Sequence, residues 1–221
     1  MINRDYLLYF GEQGIELRQS SKRDHKGQRV DFTKIDRRVG AGNLSRKQPL
    51  PKAIGEHETV LDVTAGFGMD AAMLALMGYH VIAVEQSPII SAMVRDGLFR
   101  AEQDEKLRKD LGGRLQFREG DSIRLLPTLQ NVEVVYLDPM FPPKRKKSAL
   151  PPGHIQALQS IVGYDTPEDT MELFNMATQT ATERVVVKRP THAPKMSDRP
   201  VATHRGKLVR YEVYRTEDGV L

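Results

Sequence analysis

From Thr59 onward, short runs of β-branched residues alternate with segments of helical periodicity, and this alternation limits the possible folds more than any other feature. It is the signature of a mostly parallel sheet covered by helices on both faces, an α/β architecture. The runs predict strands at Thr59–Thr64, His80–Glu85, Leu115–Glu119, Val132–Leu137 and Arg184–Lys188. Lys207–Tyr211 and Glu212–Arg215 predict a closing antiparallel element. Between the strands, Asp70–Met77 reads as a helix stopped by Gly78, a residue suited to a C-terminal cap. Ser87 and Pro88 form an N-cap and first-turn pair ahead of Ile89, Ile90, Met93, Val94 and Leu98 at helical spacing. Ile155–Val162 and Thr170–Ala181 predict two further helices.

With 221 residues and 39 % hydrophobic content, the chain can bury one substantial core. The expected organisation is an α/β domain over 53–221, preceded by a small basic appendage over 1–52 in which Leu7–Phe10 and Gly14–Leu17 are short candidate strands. There is no apolar run of about 18 residues and no charged-then-apolar leader pattern, so the expected compartment is the cytoplasm. The absence of cysteine excludes disulfides, thiolate zinc sites and every mechanism with a cysteine nucleophile, cytosine C5 methylation included. The six histidines show no metal-ligand spacing, and no metal is expected.

Charge is unevenly distributed. Residues 1–52 hold 12 Lys/Arg against 6 Asp/Glu, residues 53–183 hold 12 against 19, and residues 184–221 hold 9 against 4. Basic flanks around an acidic body suit a phosphate-rich polymer gripped beside a small-molecule site.

The sharpest local motif runs from Val60 through Asp62, Thr64, Gly66 and Gly68 to Asp70. A buried strand ends there in a turn with two glycines and then opens a helix, whose first N–H groups favour an anionic ligand group. Glu85 ends the next strand 23 residues after Asp62, where a carboxylate can accept from two ribose hydroxyls. Gly66, Gly68 and Ala71 also satisfy the dinucleotide-binding pattern, so NAD and S-adenosylmethionine both remain open at this point. Asp121 and Ser122, after the third strand, place a carboxylate and a hydroxyl at the same sheet edge.

A second loop separates the readings: Val134-Val135-Tyr136-Leu137 delivers Asp138-Pro139-Met140-Phe141-Pro142. It resembles the Asp/Asn-Pro-Pro-Tyr/Phe loop of amino-group methyltransferases acting on nucleic-acid bases, with Met140 where the second proline usually stands. An exocyclic amine conjugated with its ring is a poor nucleophile. The Asp138 carboxylate and the Pro139 carbonyl can accept its two N–H bonds and hold the nitrogen in line with a methylsulfonium, so that catalysis is mostly orientation. Pro139 stiffens that carbonyl, and Phe141 offers a face for an extruded base. No Tyr-x-x-x-Lys or other hydride-handling set supports an NAD-linked oxidoreductase. A DNA amino-methyltransferase shares every catalytic feature, although the length leaves little room for a sequence-reading domain. A non-catalytic RNA-binding module is disfavoured by the intact glycines and Asp138.

Taken with Lys147-Ser148-Ala149-Leu150 and Val185-Val186-Val187-Lys188-Arg189-Pro190, these motifs resemble the ribosomal RNA small subunit methyltransferase J family over roughly residues 30–214. That resemblance implies a Rossmann-like class I methyltransferase fold, S-adenosylmethionine as cofactor, and the N2 amine of one guanine in small-subunit ribosomal RNA as acceptor. It also implies cofactor contacts from Met69 and Asp70, Glu85 and Gln86, Asp121 and Ser122, and Asp138. Asp62, Thr64, Gly66 and Gly68 join them as the glycine-turn candidates. Lys144, Arg145, Lys146 and Lys147 follow the acid-proline loop, Arg37 and Arg38 sit near the glycine-rich exit of the appendage, and Lys188 and Arg189 close the fifth strand. All eight are candidate RNA contacts, with sheet-edge protection as a second reading for the last pair.

Overall fold

The computed structural model describes residues 6–22, 27–38, 44–129, 131–140 and 153–216. In chain order its elements are β1 (Tyr6–Gly11), β2 (Gly14–Gln19), α1 (Pro49–Ile54), β3 (Thr59–Asp62), α2 (Met69–Leu76), β4 (His80–Glu85), α3 (Pro88–Gln103) and α4 (Glu105–Leu111). There follow β5 (Leu115–Glu119), α5 (Ser122–Leu125), β6 (Val132–Leu137), α6 (Gly153–Val162), α7 (Pro167–Thr180), β7 (Ala181–Pro190), β8 (Ala202–Arg205) and β9 (Val209–Arg215). β1 and β2 form a separate antiparallel hairpin.

The remaining strands make one seven-stranded sheet in the order β5-β4-β3-β6-β7-β9-β8. β3 to β7 are parallel, and β9 runs antiparallel between β7 and β8. This is the Rossmann-like α/β fold expected from the alternation of strand and helix patterns. Along β6, Val134 and Tyr136 enter the core under α1 and α2, while Val135 and Leu137 enter the opposite core with Phe174 and Ala177 of α7. Burial on both faces is why residues 134–137 read as a continuous apolar run. Each such side chain contributes about 1.5–3 kcal/mol on leaving water. A third cluster joins α3 to Leu17, Val30 and Phe32, and Asp96 of α3 accepts from the Ile15 N–H at 3.1 Å, so the hairpin is fastened to the domain.

Several boundaries differ from the sequence expectation. β3 ends at Asp62, two residues early, because the Asp62 carboxylate turns back to accept the Thr64 N–H at 3.1 Å. α7 starts at Pro167, with Thr166 and Asp169 forming a reciprocal capping box, and Ala181 opens β7 rather than ending the helix. The expected pair Lys207–Tyr211 and Glu212–Arg215 is instead one strand, β9, and its hairpin partner is Ala202–Arg205. Arg210 and Glu212 look like a break in the pattern, yet each satisfies the other's charge inside the strand. The helices α1, α4 and α5 are too short to show a periodic signal. α1 also crosses the sequence-based boundary at 52/53 and contributes Leu50, Ala53 and Ile54 to the core.

Because β3, β4 and β5 extend in one direction and β6 and β7 in the other, the strand order reverses between β3 and β6. In open α/β sheets the ligand crevice lies outside the carboxyl ends of the strands at this point. Asp62 and Asp138 stand at those two ends.

Candidate active site

The chain leaves β3 through a turn in which Gly66 and Gly68 take φ of 52° and 73°. Side chains are disfavoured in this left-handed region, and a Cβ on Gly66 would also sit 3.2 Å from Leu158 Cδ2. Gly68 stands at the N-cap of α2 and has no side chain to occupy the first N–H groups of the helix. The turn is fixed from the neighbouring strand. Glu85, buried at the end of β4, accepts the Gly66 N–H at 2.9 Å and the Ser87 N–H at 2.7 Å. Burial pushes its carboxyl up, and these N–H groups pull it back. A carboxylate has about four lone-pair sites, so acceptor capacity for a hydroxyl remains beside these N–H groups.

The third strand end joins the same cluster. Gly120 donates to the Glu85 carbonyl at 3.0 Å, and buried Ser122 donates to the Val63 carbonyl at 2.6 Å. Asp121 caps α5 by accepting the Ile123 N–H at 2.9 Å and leaves much of its side chain exposed.

The acid-proline loop meets the turn directly: the Asp138 N–H donates to Thr64 Oγ1 at 2.6 Å. Pro139 is buried. Met140 is fastened reciprocally, its N–H donating to Asp165 Oδ2 at 2.6 Å and its carbonyl accepting the Asp165 N–H at 3.0 Å. On the other side of Asp138, Lys188 Nζ lies 2.8 Å from Asp138 Oδ2 and 3.0 Å from Asp70 Oδ2, and the Tyr136 hydroxyl donates to the same Asp70 oxygen at 2.7 Å. The Asp138 side chain keeps 38 % of its surface accessible although protein surrounds it. Burial raises its carboxyl, Lys188 lowers it and Asp70 raises it again, leaving it above the usual range. Asp62 is 2 % exposed and held well above the ordinary carboxyl range by burial, then by the charges of Asp70 and Asp138.

Asp62 therefore carries a measurable cost in the cofactor-free protein. Folding takes up a proton at Asp62 between its unfolded and its higher folded ionisation, so stability falls as pH rises through that window. Asp62→Asn keeps the acceptor for Thr64 and removes the charge. Its melting temperature at pH 7 is expected to exceed that of the unsubstituted protein, by about 2–4 °C for each kcal/mol relieved, with the gap closing below the ordinary carboxyl range. A melting series from pH 3 to 8 that shows no gain at neutral pH would refute this.

The family model described as "Putative SAM-dependent methyltransferase" matches residues 2–216. A ribosomal RNA small subunit methyltransferase J from Tolumonas auensis is 37 % identical over 97 % of this chain and 88 % of its own length. The chain belongs to the ribosomal RNA small subunit methyltransferase J family. A second member, from Aeromonas salmonicida, is 36 % identical over 95 % of this chain and 86 % of its own. Among solved structures, a SAM-dependent methyltransferase from Neisseria gonorrhoeae is 29 % identical, with a TM-score of 0.72 over 98 % of this chain and 86 % of that one.

S-adenosylmethionine is thus the cofactor, which closes the NAD alternative, and the residues present fit it. With Asp62 held toward its neutral form, the carboxylates of Asp70 and Asp138 face the Lys188 ammonium, so this cluster of described residues keeps a negative surplus suited to a sulfonium. Glu85 offers its carboxylate at the strand end, and the start of α2 offers N–H groups to a carboxylate.

The structure brings Thr64, Gly66, Asp70, Glu85, Ser122 and Asp138 into one connected cluster, whereas the side chains of Met69 and Gln86 are exposed at its margin. For Lys188 and Arg189 the reading as edge protection is corrected. β7 is an interior strand between β6 and β9, so neither residue protects an edge. Lys188 points into the carboxylate cluster, and Arg189 is buried with a nitrogen 3.2 Å from Met196 Sδ. Arg37 pairs with Asp110 of α4, and exposed Arg38 pairs with Asp36. Phe141, Lys144, Arg145, Lys146 and Lys147 lie outside the described residues. Sequence reasoning missed Tyr136 and Asp165, although Tyr136 shares the face of Asp138 by the two-residue strand period.

Proposed function

We propose that this methyltransferase acts on the exocyclic N2 amine of a guanine in small-subunit ribosomal RNA, in the cytoplasm. The observation that carries the reading is the 2.6 Å bond from the Asp138 N–H to Thr64, which joins the acid-proline loop to the glycine turn. The names of the relatives supply the RNA class, and the N2 position rests on the resemblance of the Asp138-Pro139-Met140-Phe141-Pro142 loop. The sequence division is kept in this proposal, with basic residues 1–52 as an RNA-facing appendage, 53–221 as the transferase and α1 as the joint between them.

When bound, S-adenosylmethionine supplies an electrophilic methyl group on a leaving group that is already good. The protein's task is to place the amine. The Asp138 carboxylate accepts one N–H and the Pro139 carbonyl the other, which turns the nitrogen lone pair toward the methyl. As the nitrogen gains its methyl it becomes cationic, and Asp138, already raised by burial, takes the surplus proton. Phe141 stacks on the base, and Arg37, Arg38 and the Lys144–Lys147 run take the phosphates. Asp62, Thr64, Gly66, Gly68, Met69, Asp70, Glu85, Gln86, Asp121 and Ser122 form the cofactor cradle.

The test uses purified protein, labelled S-adenosylmethionine and small ribosomal subunits from a strain lacking the gene, with free ribosomal RNA and duplex DNA as parallel acceptors. Nuclease digestion and mass spectrometry are expected to place the label on N2-methylguanosine. Label confined to DNA, to protein or to another nucleoside would overturn the reading.

A further inference from the structure

We propose that Lys188 is a positioning residue for methyl transfer: its ammonium clamps Asp138 Oδ2 against Asp70 and turns the second carboxylate oxygen toward the amine. This rests on the reading of Asp138 as the amine acceptor. In the register of β6 and β7, Leu137 faces Val187, so Asp138 and Lys188 are the next residues of two adjacent strands. Lys188 Nζ reaches Asp138 at 2.8 Å and Asp70 at 3.0 Å. Tyr136 donates to Asp70 at 2.7 Å, so a chain of hydrogen bonds runs from the core of the sheet to the reacting carboxylate. Asp138 Oδ1 accepts no hydrogen bond from a described residue. With one oxygen clamped and the backbone N–H held by Thr64, the other oxygen is the acceptor left for a substrate N–H.

An ionised carboxylate is the stronger acceptor for that hydrogen bond, and only the ionised form can take up the surplus proton. The groups facing this centre are Asp62 at the end of β3, Asp70 on α2, Tyr136 on β6, Asp165 ahead of α7 and Tyr211 on β9. The two tyrosines stay neutral because burial pushes their hydroxyls up, the acids add negative charge as they ionise, and among the described residues Lys188 is the cation that opposes them. Its two carboxylate partners hold its own ionisation far above the ordinary lysine value, so it remains a cation throughout the working pH range. Without it, Asp138 would stay protonated to higher pH and its freed carboxyl would rotate.

Lys188→Met removes the charge and keeps much of the stem, whereas Lys188→Arg keeps the charge. The Met variant is expected to lower kcat at pH 7 by about 100-fold, within the range of a positioned proton-transfer group. KM for small subunits is expected to change less than 3-fold, and the acid limb of kcat to move up by at least one pH unit. Arginine should restore part of the rate and most of the profile. In the cofactor-free protein, 13C NMR of labelled aspartate should show the Asp138 carboxyl titrating at higher pH in Lys188→Met. Should Met at this position prevent folding, Lys188→Gln carries the same readouts. An active parent enzyme whose Met or Gln variant leaves both the pH profile and the Asp138 titration unmoved would overturn this inference alone. A parent enzyme inactive on small subunits would overturn the functional reading and this inference with it.

Discussion

Asp138→Ala is expected to lower kcat by about 10²–10⁴-fold, the range set by loss of a group that orients and deprotonates the nucleophile. Affinity for S-adenosylmethionine should fall by less than about 10-fold. The difference follows from where Asp138 is anchored. Its backbone, which alanine retains, makes the contact with Thr64 that ties the loop to the glycine turn. Its carboxylate faces Lys188, away from the Glu85 and Ser122 bonds that shape the turn. Removing that carboxylate leaves Lys188 on Asp70 and leaves the bonds of Glu85 and Ser122 in place, so the cradle for the cofactor is kept. Single-turnover transfer to small subunits and calorimetric titration of the cofactor separate the two effects. Parallel losses of the same size would make Asp138 chiefly a cofactor ligand. Asp138→Asn distinguishes charge from shape: it keeps one acceptor oxygen but presents an amide donor to Lys188, and should be nearly as inactive.

The parts of this site that were legible in the sequence are those fixed by local chemistry. Gly66 and Gly68 occupy backbone conformations that few other residues adopt, so their spacing announces the turn. Glu85 and Asp138 close apolar runs, and a charged residue at the end of a buried strand has few places to go. Lys188 was misjudged because a Lys-Arg pair after three valines has the appearance of a solvated strand end. Its partners lie 50 and 118 positions away, and only the parallel register of β6 and β7 brings the opposite charges face to face. Asp165 was invisible for the same reason: nothing local links it to Met140, 25 residues earlier. Register is set by the hydrophobic pattern of whole strands, so such pairings become readable only once strand order is known.

The same argument predicts the largest effect on stability, at a buried ion pair in β9. Arg210 and Glu212 are buried in β9 and fully engaged there. Arg210 reaches Glu212 Oε1 from Nε at 2.8 Å, and its remaining nitrogens donate to the carbonyls of Pro190, Thr191, Ala193 and Pro194. Glu212 Oε2 accepts the Met196 N–H at 2.9 Å and the Tyr214 hydroxyl at 2.7 Å. The pair thus pins the chain that leaves β7 two residues after Lys188, so a network with no catalytic role holds the strand end that has one. Arg210→Met strands a carboxylate in the core and takes the arginine donors from four carbonyls, of which that of Pro190 keeps the Ala193 N–H; this is expected to cost about 3–5 kcal/mol, or a fall of about 10 °C in melting temperature. Pairing it with Glu212→Leu removes the stranded charge, and the double variant should recover a substantial part of the loss. Denaturant titrations of the single and double variants measure both quantities. A single variant within about 1 kcal/mol of the parent would mean that water reaches Glu212 and that the β7 exit is held by something other than this pair.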